Sequence, residues 1–179
     1  MTSIFEVLKI IHTDWITNNK DWTRPGFRAL AVYRLGNWRI SIKNKILRVP
    51  FSIIYRFLFR YCRNRYGIEI PYSAKIGKNV VIEHQGCIVI HGNAIVDDYC
   101  IIRQGVTIGN KSLDKPFDAP HIGKNVNIGA GAKILGHILI GDYSSIGANA
   151  VVVKDIPPYS VVVGVPGRVI KTLKSEVED

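Results

Sequence analysis

A parallel β-helix of six-residue repeats, preceded by a small α-helical region, is the fold this sequence predicts. Three observations carry it. Aliphatic or small residues recur every six positions at Ile70, Ile76, Ile82, Ile88, Ala94, Cys100 and Val106. After a break the count resumes at Ile122, Ile128, Ile134, Ile140, Ile146 and Val152. Two positions before these sits a mostly small or aliphatic residue, such as Ala74, Val80, Val126, Ala132, Ser144 or Ala150, and glycine often follows, as at Gly77, Gly123, Gly129, Gly141 and Gly147. A period of six suits neither a helix of 3.6 residues per turn nor an isolated alternating strand. It suits a solenoid in which each hexad forms one short side and a corner, and three hexads complete a turn.

Residues 1–66 form the helical region. Helical periodicity runs from about Ser3 to Trp38, with a break near Trp22 to Gly26 where Thr23 would cap and Pro25 would open the next helix. From Ile46 to Tyr66 the pattern returns, with Phe51, Ile54, Tyr55, Leu58 and Phe59 on one side and Arg56, Arg60, Arg63 and Arg65 on or near the other. That aromatic stripe would cap the open end of the solenoid; an amphipathic basic helix on an anionic membrane is the competing reading. Gly67 ends the stretch. The solenoid occupies 67–158, and 159–179 is a closing segment that ends in a basic-then-acidic tail from Arg168 to Asp179. Between Val106 and Ile122 the step is sixteen residues, two hexads plus four extra. Its polar, proline-bearing stretch 110–120 would leave the solenoid as a loop, the sort of place where a repeat scaffold builds a site.

Charge is unevenly spread. Lys and Arg number 24 against 14 acids, a formal +10. Through Tyr66 there are thirteen bases and three acids, and from Gly67 onward eleven of each, so all the net charge lies ahead of the repeats. Cys62, Cys87 and Cys100 are an odd number and read as reduced packing residues, not a disulfide framework. No signal peptide or membrane span is apparent, so the expected compartment is the cytoplasm, with peripheral contact at the inner face of the membrane as an added possibility. Neither zinc-ligand spacing nor a phosphate loop is present. Nucleic acid is not expected as a partner, because capping or membrane contact explains the basic helix.

Several segments carry a specific resemblance. Arg24 to Trp38 is similar to the helical lead-in of the serine acetyltransferase branch of the hexapeptide-repeat acyltransferases. The run Ile82-Glu-His-Gln-Gly-Cys-Ile-Val-Ile90 is similar to that branch's catalytic coil; Ile128 to Gly136 and Val163 to Arg168 are similar to its coenzyme A coils and closing segment. The resemblance implies a left-handed triangular β-helix, assembly as a homotrimer and acetyl-CoA as co-substrate, with no metal. It also implies cofactor contacts at Gly129, Ala130, Gly147 and Ala148, with Lys154 and Arg168 near the phosphates. A γ-type carbonic anhydrase shares the fold, but His84, His91 and His121 lack its histidine spacing.

Acyl transfer to a hydroxyl needs a base and donors for the tetrahedral oxyanion. His84 is the best candidate base, with Glu83 beside it as a substrate contact. Glu69 lies fifteen residues earlier, roughly one coil below, and would hold the imidazole in its productive tautomer. Asp118 and His121, at the end of the loop, are further candidate substrate contacts. The resembling serine enzymes carry an Arg-His pair before the loop's last proline, where this chain has Asp118 and Ala119 before Pro120. They also have Asp where Glu83 stands, and a longer helical N-terminal domain. The closest resemblance is therefore to the short forms of surface-polysaccharide biosynthesis. The expected activity is acetyl transfer to a sugar hydroxyl, with L-serine as the alternative acceptor in cysteine biosynthesis.

Overall fold

The computed structural model describes residues 3–173. Its fifteen strands, numbered in chain order, fall on three faces. Face A holds β1 (Ile68–Glu69), β4 (Ile88–Ile90), β7 (Thr107–Gly109), β10 (Lys133–Leu135) and β13 (Val151–Val152). Face B holds β2 (Lys75–Ile76), β5 (Ile95–Val96), β8 (His121–Ile122) and β11 (Leu139–Ile140). On face C lie β3 (Val81–Ile82), β6 (Ile101–Ile102), β9 (Asn127–Ile128), β12 (Ser145–Ile146) and β14 (Ser160–Val163). Up to β13 the chain visits A, B and C in turn, and each strand pairs in parallel with the one three places on. In the last coil face B is reduced to a bridge between Ile140 and Ile156, so β12 pairs with β14. This is the left-handed β-helix expected from the repeats and the family resemblance. A strand of two or three residues has little stability of its own; stacking with coils above and below makes it persist. The interior is a continuous aliphatic column, with Ile82, Ile102, Ile108, Ile128, Ile134 and Ile140 all fully buried.

Register corrects the count in one place. Lys75 pairs with Ile95 and Val81 with Ile101, so this coil is 20 residues long, whereas Val89 pairs with Thr107, a step of 18. Two extra residues therefore sit in the corner after Ile82, and the strand positions following it are Ile90, Val96, Ile102 and Ile108. The series Ile88, Ala94, Cys100, Val106 is the inward position two residues ahead of each. Both inward positions are buried and apolar in every one of these strands, so a slip of two leaves hydrophobicity unchanged. At the loop Ile95 pairs with His121, a step of 26, which means eight extra residues and not four.

The helical region closes one end. Ser3 caps α1 (Ile4–Thr17) in a box with Glu6. Pro25 opens α2 (Pro25–Trp38) as expected, but Thr23 does not cap it; its hydroxyl and N–H both donate to Asp21 Oδ1. α2 lies against the first coil. A Cβ on Gly26 would stand 2.2 Å from the Ile82 carbonyl oxygen, so only glycine permits this approach. Tyr33 donates to the Ala74 carbonyl and accepts from the Ile76 N–H. Arg34 Nε donates to Asp14 Oδ2 at 2.9 Å, while its other nitrogens donate to the carbonyls of Ile76 and Gly77. One buried guanidinium thus joins α1, α2 and the first coil. Burial pushes the Asp14 carboxyl above its ordinary range, and the Arg34 hydrogen bond and charge oppose that rise.

Asn44 caps α3 (Lys45–Tyr61), and a π-helical turn, Cys62–Tyr66, leads to Gly67 in the left-handed conformation at φ 63°. A side chain there would press on the Cys87 amide nitrogen at 2.9 Å. The capping stripe divides differently from the expectation: Tyr55 and Cys62 are buried and Phe59 packs on the core, but Phe51, Ile54 and Leu58 are exposed. Arg39 sits between the rings of Tyr55 and Tyr72, whose centroids lie 4.4 and 4.3 Å away. All three cysteines are free; Cys62 and Cys100 are buried as packing residues, whereas Cys87 is exposed. At the other end, Arg168–Thr172 is not tail but β15, antiparallel to β14. The acidic end of the tail, residues 174–179, lies outside the described residues.

Candidate active site

Corners between face C and face A stack along one edge of the prism. On this C–A edge lie residues 83–87, then 103–106, 129–132 and 147–150. His84 occupies the enlarged first corner and is exposed. The two extra residues are what push it clear of the strand line. Gly86, at φ 108°, and Cys87, at φ 53°, turn the chain back toward face A. The Gly86 carbonyl accepts from the Gly105 N–H, and the Gly67 carbonyl accepts from the Ile88 N–H, which ties this corner to its neighbours.

Glu83 is held from above. Its Oε2 accepts from Arg103 Nε at 2.6 Å, and Arg103 also donates to Asn127 Oδ1. The pair is about one-third exposed, so it fixes a carboxylate more than it stabilises the fold. Arg103 is the residue that the count by eighteen overlooks: in the 20-residue coil it stands directly over Glu83. Glu69 is half-buried on β1, in register under Val89. It lies one coil below His84 and just past the same edge; no hydrogen bond joins the two side chains among the described residues.

Gly129, Ala130, Gly147 and Ala148 stand on the C–A edge too, two and three coils above His84. The N–H groups of Gly129 and Gly147 are committed to the carbonyls of Ile146 and Val162. A Cβ on Gly129 would come within 2.6 Å of the Ala148 amide nitrogen, so that glycine lets the corners stack. Arg168 opens β15 and is exposed; Lys154 is exposed beyond β13, on the A–B edge.

The remaining candidates are not brought to His84 within one chain. The loop leaves from the corner between faces A and B, and with it go Asp118 and His121. Asp118 lines a cleft of about 410 Å³ with Lys111, Lys115, Gly136 and His137. His121 Nε2 lies 2.9 Å from Asp97 Oδ2, which engages it within its own chain. His121 also faces a neighbouring hollow with Phe117, Ala119 and His137. His91 is turned to the same A–B edge, where its Nδ1 accepts from the Asn93 N–H. One edge therefore carries the candidate base and the glycine-rich corners, and another carries the loop. No cluster of three or more metal-ligating side chains occurs among the described residues.

With this geometry in place, the likenesses to known proteins are specific. Residues 119–154 match the family model for the bacterial transferase hexapeptide (six repeats). Serine acetyltransferases from Synechococcus elongatus and Mycobacterium tuberculosis are each 42% identical over 146 residues, or 82% of this chain. That stretch is 57% and 61% of those two proteins, so the chain spans about three-fifths of the length of these curated relatives. Among solved structures, Brucella abortus serine acetyltransferase in complex with coenzyme A superposes with a TM-score of 0.81 at 27% identity, covering 96% of this chain and 70% of that one. A truncated serine acetyltransferase apoenzyme gives 0.79 at 29%, covering 94% and 72%. The repeat matches that of the bacterial hexapeptide transferases, and the similar proteins and structures are serine acetyltransferases. These similarities support serine acetyltransferases and lend no support to the surface-polysaccharide forms as the closest resemblance.

Proposed function

We propose that the chain is an acetyl-CoA-dependent O-acetyltransferase in which His84 is the general base. The observation that carries this is the single edge on which His84, the Glu83–Arg103 pair and the corners at Ala130 and Ala148 line up. His84 takes the proton of the acceptor hydroxyl as its oxygen attacks the thioester carbonyl. The tetrahedral oxyanion collapses, the carbon–sulfur bond breaks, and the proton passes from His84 to the departing thiolate. Products are the acetyl ester and free coenzyme A. Glu69 orients the imidazole and stabilises its charged form without taking the proton. The pantetheine arm runs along the C–A edge past Ala130 and Ala148, and Arg168 meets the phosphates. Lys154 and the loop lie on the A–B edge, which supports threefold association: a neighbour's A–B edge would complete this chain's C–A edge as a site.

Similarity to serine acetyltransferases favours L-serine as the acceptor. A second reading, a sugar hydroxyl, is favoured by one observation. Asp118 and Ala119 stand where the family resemblance places a cation and a histidine for the amino acid. A carboxylate entering a desolvated site without a cationic partner costs several kcal/mol, and Arg103, the cation in the corner one coil above, is committed to Glu83. Purified protein with acetyl-CoA and either L-serine or a neutral sugar, followed by thiol release, tests both. Turnover on serine that no sugar inhibits sustains the first reading; turnover on sugar alone sustains the second. His84→Ala should lower turnover by roughly two to four decades, about 3–5 kcal/mol of barrier, with acetyl-CoA affinity unchanged. Near-normal turnover in that variant would remove His84 from the mechanism.

A further inference from the structure

Nothing in the acyl-transfer reading uses the outer surface of α3. At about 100° per residue, the helix divides into three sectors. Arg48, Ser52, Tyr55 and Phe59 face the protein and are buried or half-buried. Opposite them, Ile46, Leu47, Ile53, Ile54, Phe57 and Tyr61 fall in a sector about 120° wide, each at least half exposed. Along one flank of that sector run Lys45, Arg56, Arg60 and Arg63, all exposed. Isolated apolar residues on a surface need no explanation, but a contiguous band of this kind marks an interaction site.

Charge identifies the occupant. From Trp22 to Ile68 the sequence holds eleven basic residues and no acid. A second copy of the chain laid on this band would set one cationic flank against another. Nucleic acid would meet a band in which four of the six side chains, Ile46, Leu47, Ile53 and Ile54, are aliphatic and offer bases nothing to stack on. An anionic bilayer satisfies both features: the apolar sector enters the acyl boundary, and long basic side chains reach up to the headgroups. No helix of the described residues is long and apolar enough to span a membrane, so the contact is one of lying on the surface.

We infer that α3 is a docking face for the surface of an anionic lipid bilayer. The same helix runs through the π-helical turn and Gly67 directly into β1, the strand that carries Glu69. Docking therefore sets the first coil, with His84 at its corner, beside the membrane surface. This holds whichever acceptor the enzyme uses.

Flotation of the full chain with lipid vesicles is the test. Binding is expected to phosphatidylcholine vesicles containing phosphatidylglycerol, not to pure phosphatidylcholine, and to weaken as salt screens the attraction. Arg56→Ala or Arg60→Ala should each weaken binding roughly fivefold, the worth of one basic residue near an anionic surface. Phe57→Asp should weaken it by roughly tenfold or more, because a charge replaces buried apolar area. These side chains are exposed, so each variant should keep the parent's melting temperature. Absence of binding to anionic vesicles overturns the proposal, as does equal binding to both lipids. So does lipid-free self-association that Phe57→Asp abolishes, which would assign the band to a second copy.

Discussion

The solenoid and the helical region reach stability by different routes. In the solenoid, bases and acids balance, and each coil buries the same few aliphatic positions against the coils above and below. No single side chain is special, because the neighbouring coil offers an equivalent. In the helical region all the net charge is concentrated, large apolar side chains stay exposed, and the joint to the first coil depends on one guanidinium and one close glycine. Repetition lets the solenoid's edges vary while its interior stays fixed. The enlarged corner at His84 and the loop at 110–120 are both such variations. The helical region has no such redundancy, so its loss should be local and specific.

The largest stability effect should come from cutting the repeated core. Ile128 is fully buried and lies in register between Ile102 and Ile146. Ile128→Ala leaves a cavity that rigid neighbouring coils cannot fill, and the expected cost is about 4 kcal/mol by urea denaturation. Ile102→Ala and Ile146→Ala should agree with it to within about 1 kcal/mol, since all three sit at one position of the repeat. A wide spread among the three would show that the coils are not equivalent and break the comparison.

A smaller and more local effect should follow from the ion pair. Asp14 is fully buried against Arg34. Asp14→Asn leaves a buried guanidinium without its counter-charge, at about 3 kcal/mol, although the carbonyls of Ile76 and Gly77 still accept from it. Amide exchange should rise in α1 and α2 while the solenoid amides keep their protection. If solenoid protection falls equally, the two regions unfold as one unit.

Much of this architecture was legible in the sequence, because a period of six leaves few alternatives and each face of the prism repeats it. The break at the loop was legible because the polar, proline-bearing stretch 110–120 lacks the aliphatic residue every six positions that a coil needs. What escaped is instructive. The two-residue enlargement beside His84 was invisible because Ile88 and Ile90 are both inward-facing, so the count slides by two without meeting a polar residue. With that slip hidden, Arg103 could not be matched to Glu83. Helical periodicity gave α3 correctly but not which of its two apolar sectors faces the core; that depends on Gly36, whose missing Cβ would lie 2.2 Å from the Tyr55 ring. The site's division between two edges was equally hidden, since it follows from which faces a corner joins.

The smallest effect offers the finest comparison of the two regions, because each holds one buried thiol. Burial pushes Cys62, at the end of the helical region, up to about 11, and Cys100, inside the solenoid, up to about 12. Cys87 is exposed at the His84 corner. Since the thiolate is the reactive form, iodoacetamide at neutral pH should label Cys87 alone in the native protein, and Cys87→Ser should change stability by no more than about 0.5 kcal/mol. Low urea should then expose Cys62 before Cys100, because opening the helical region uncovers the first without unstacking a coil. Mass spectrometry of the labelled peptides reads the order directly. Labelling of Cys100 at or before Cys62 would mean that the solenoid opens first, and the helical region would then be the stronger partner.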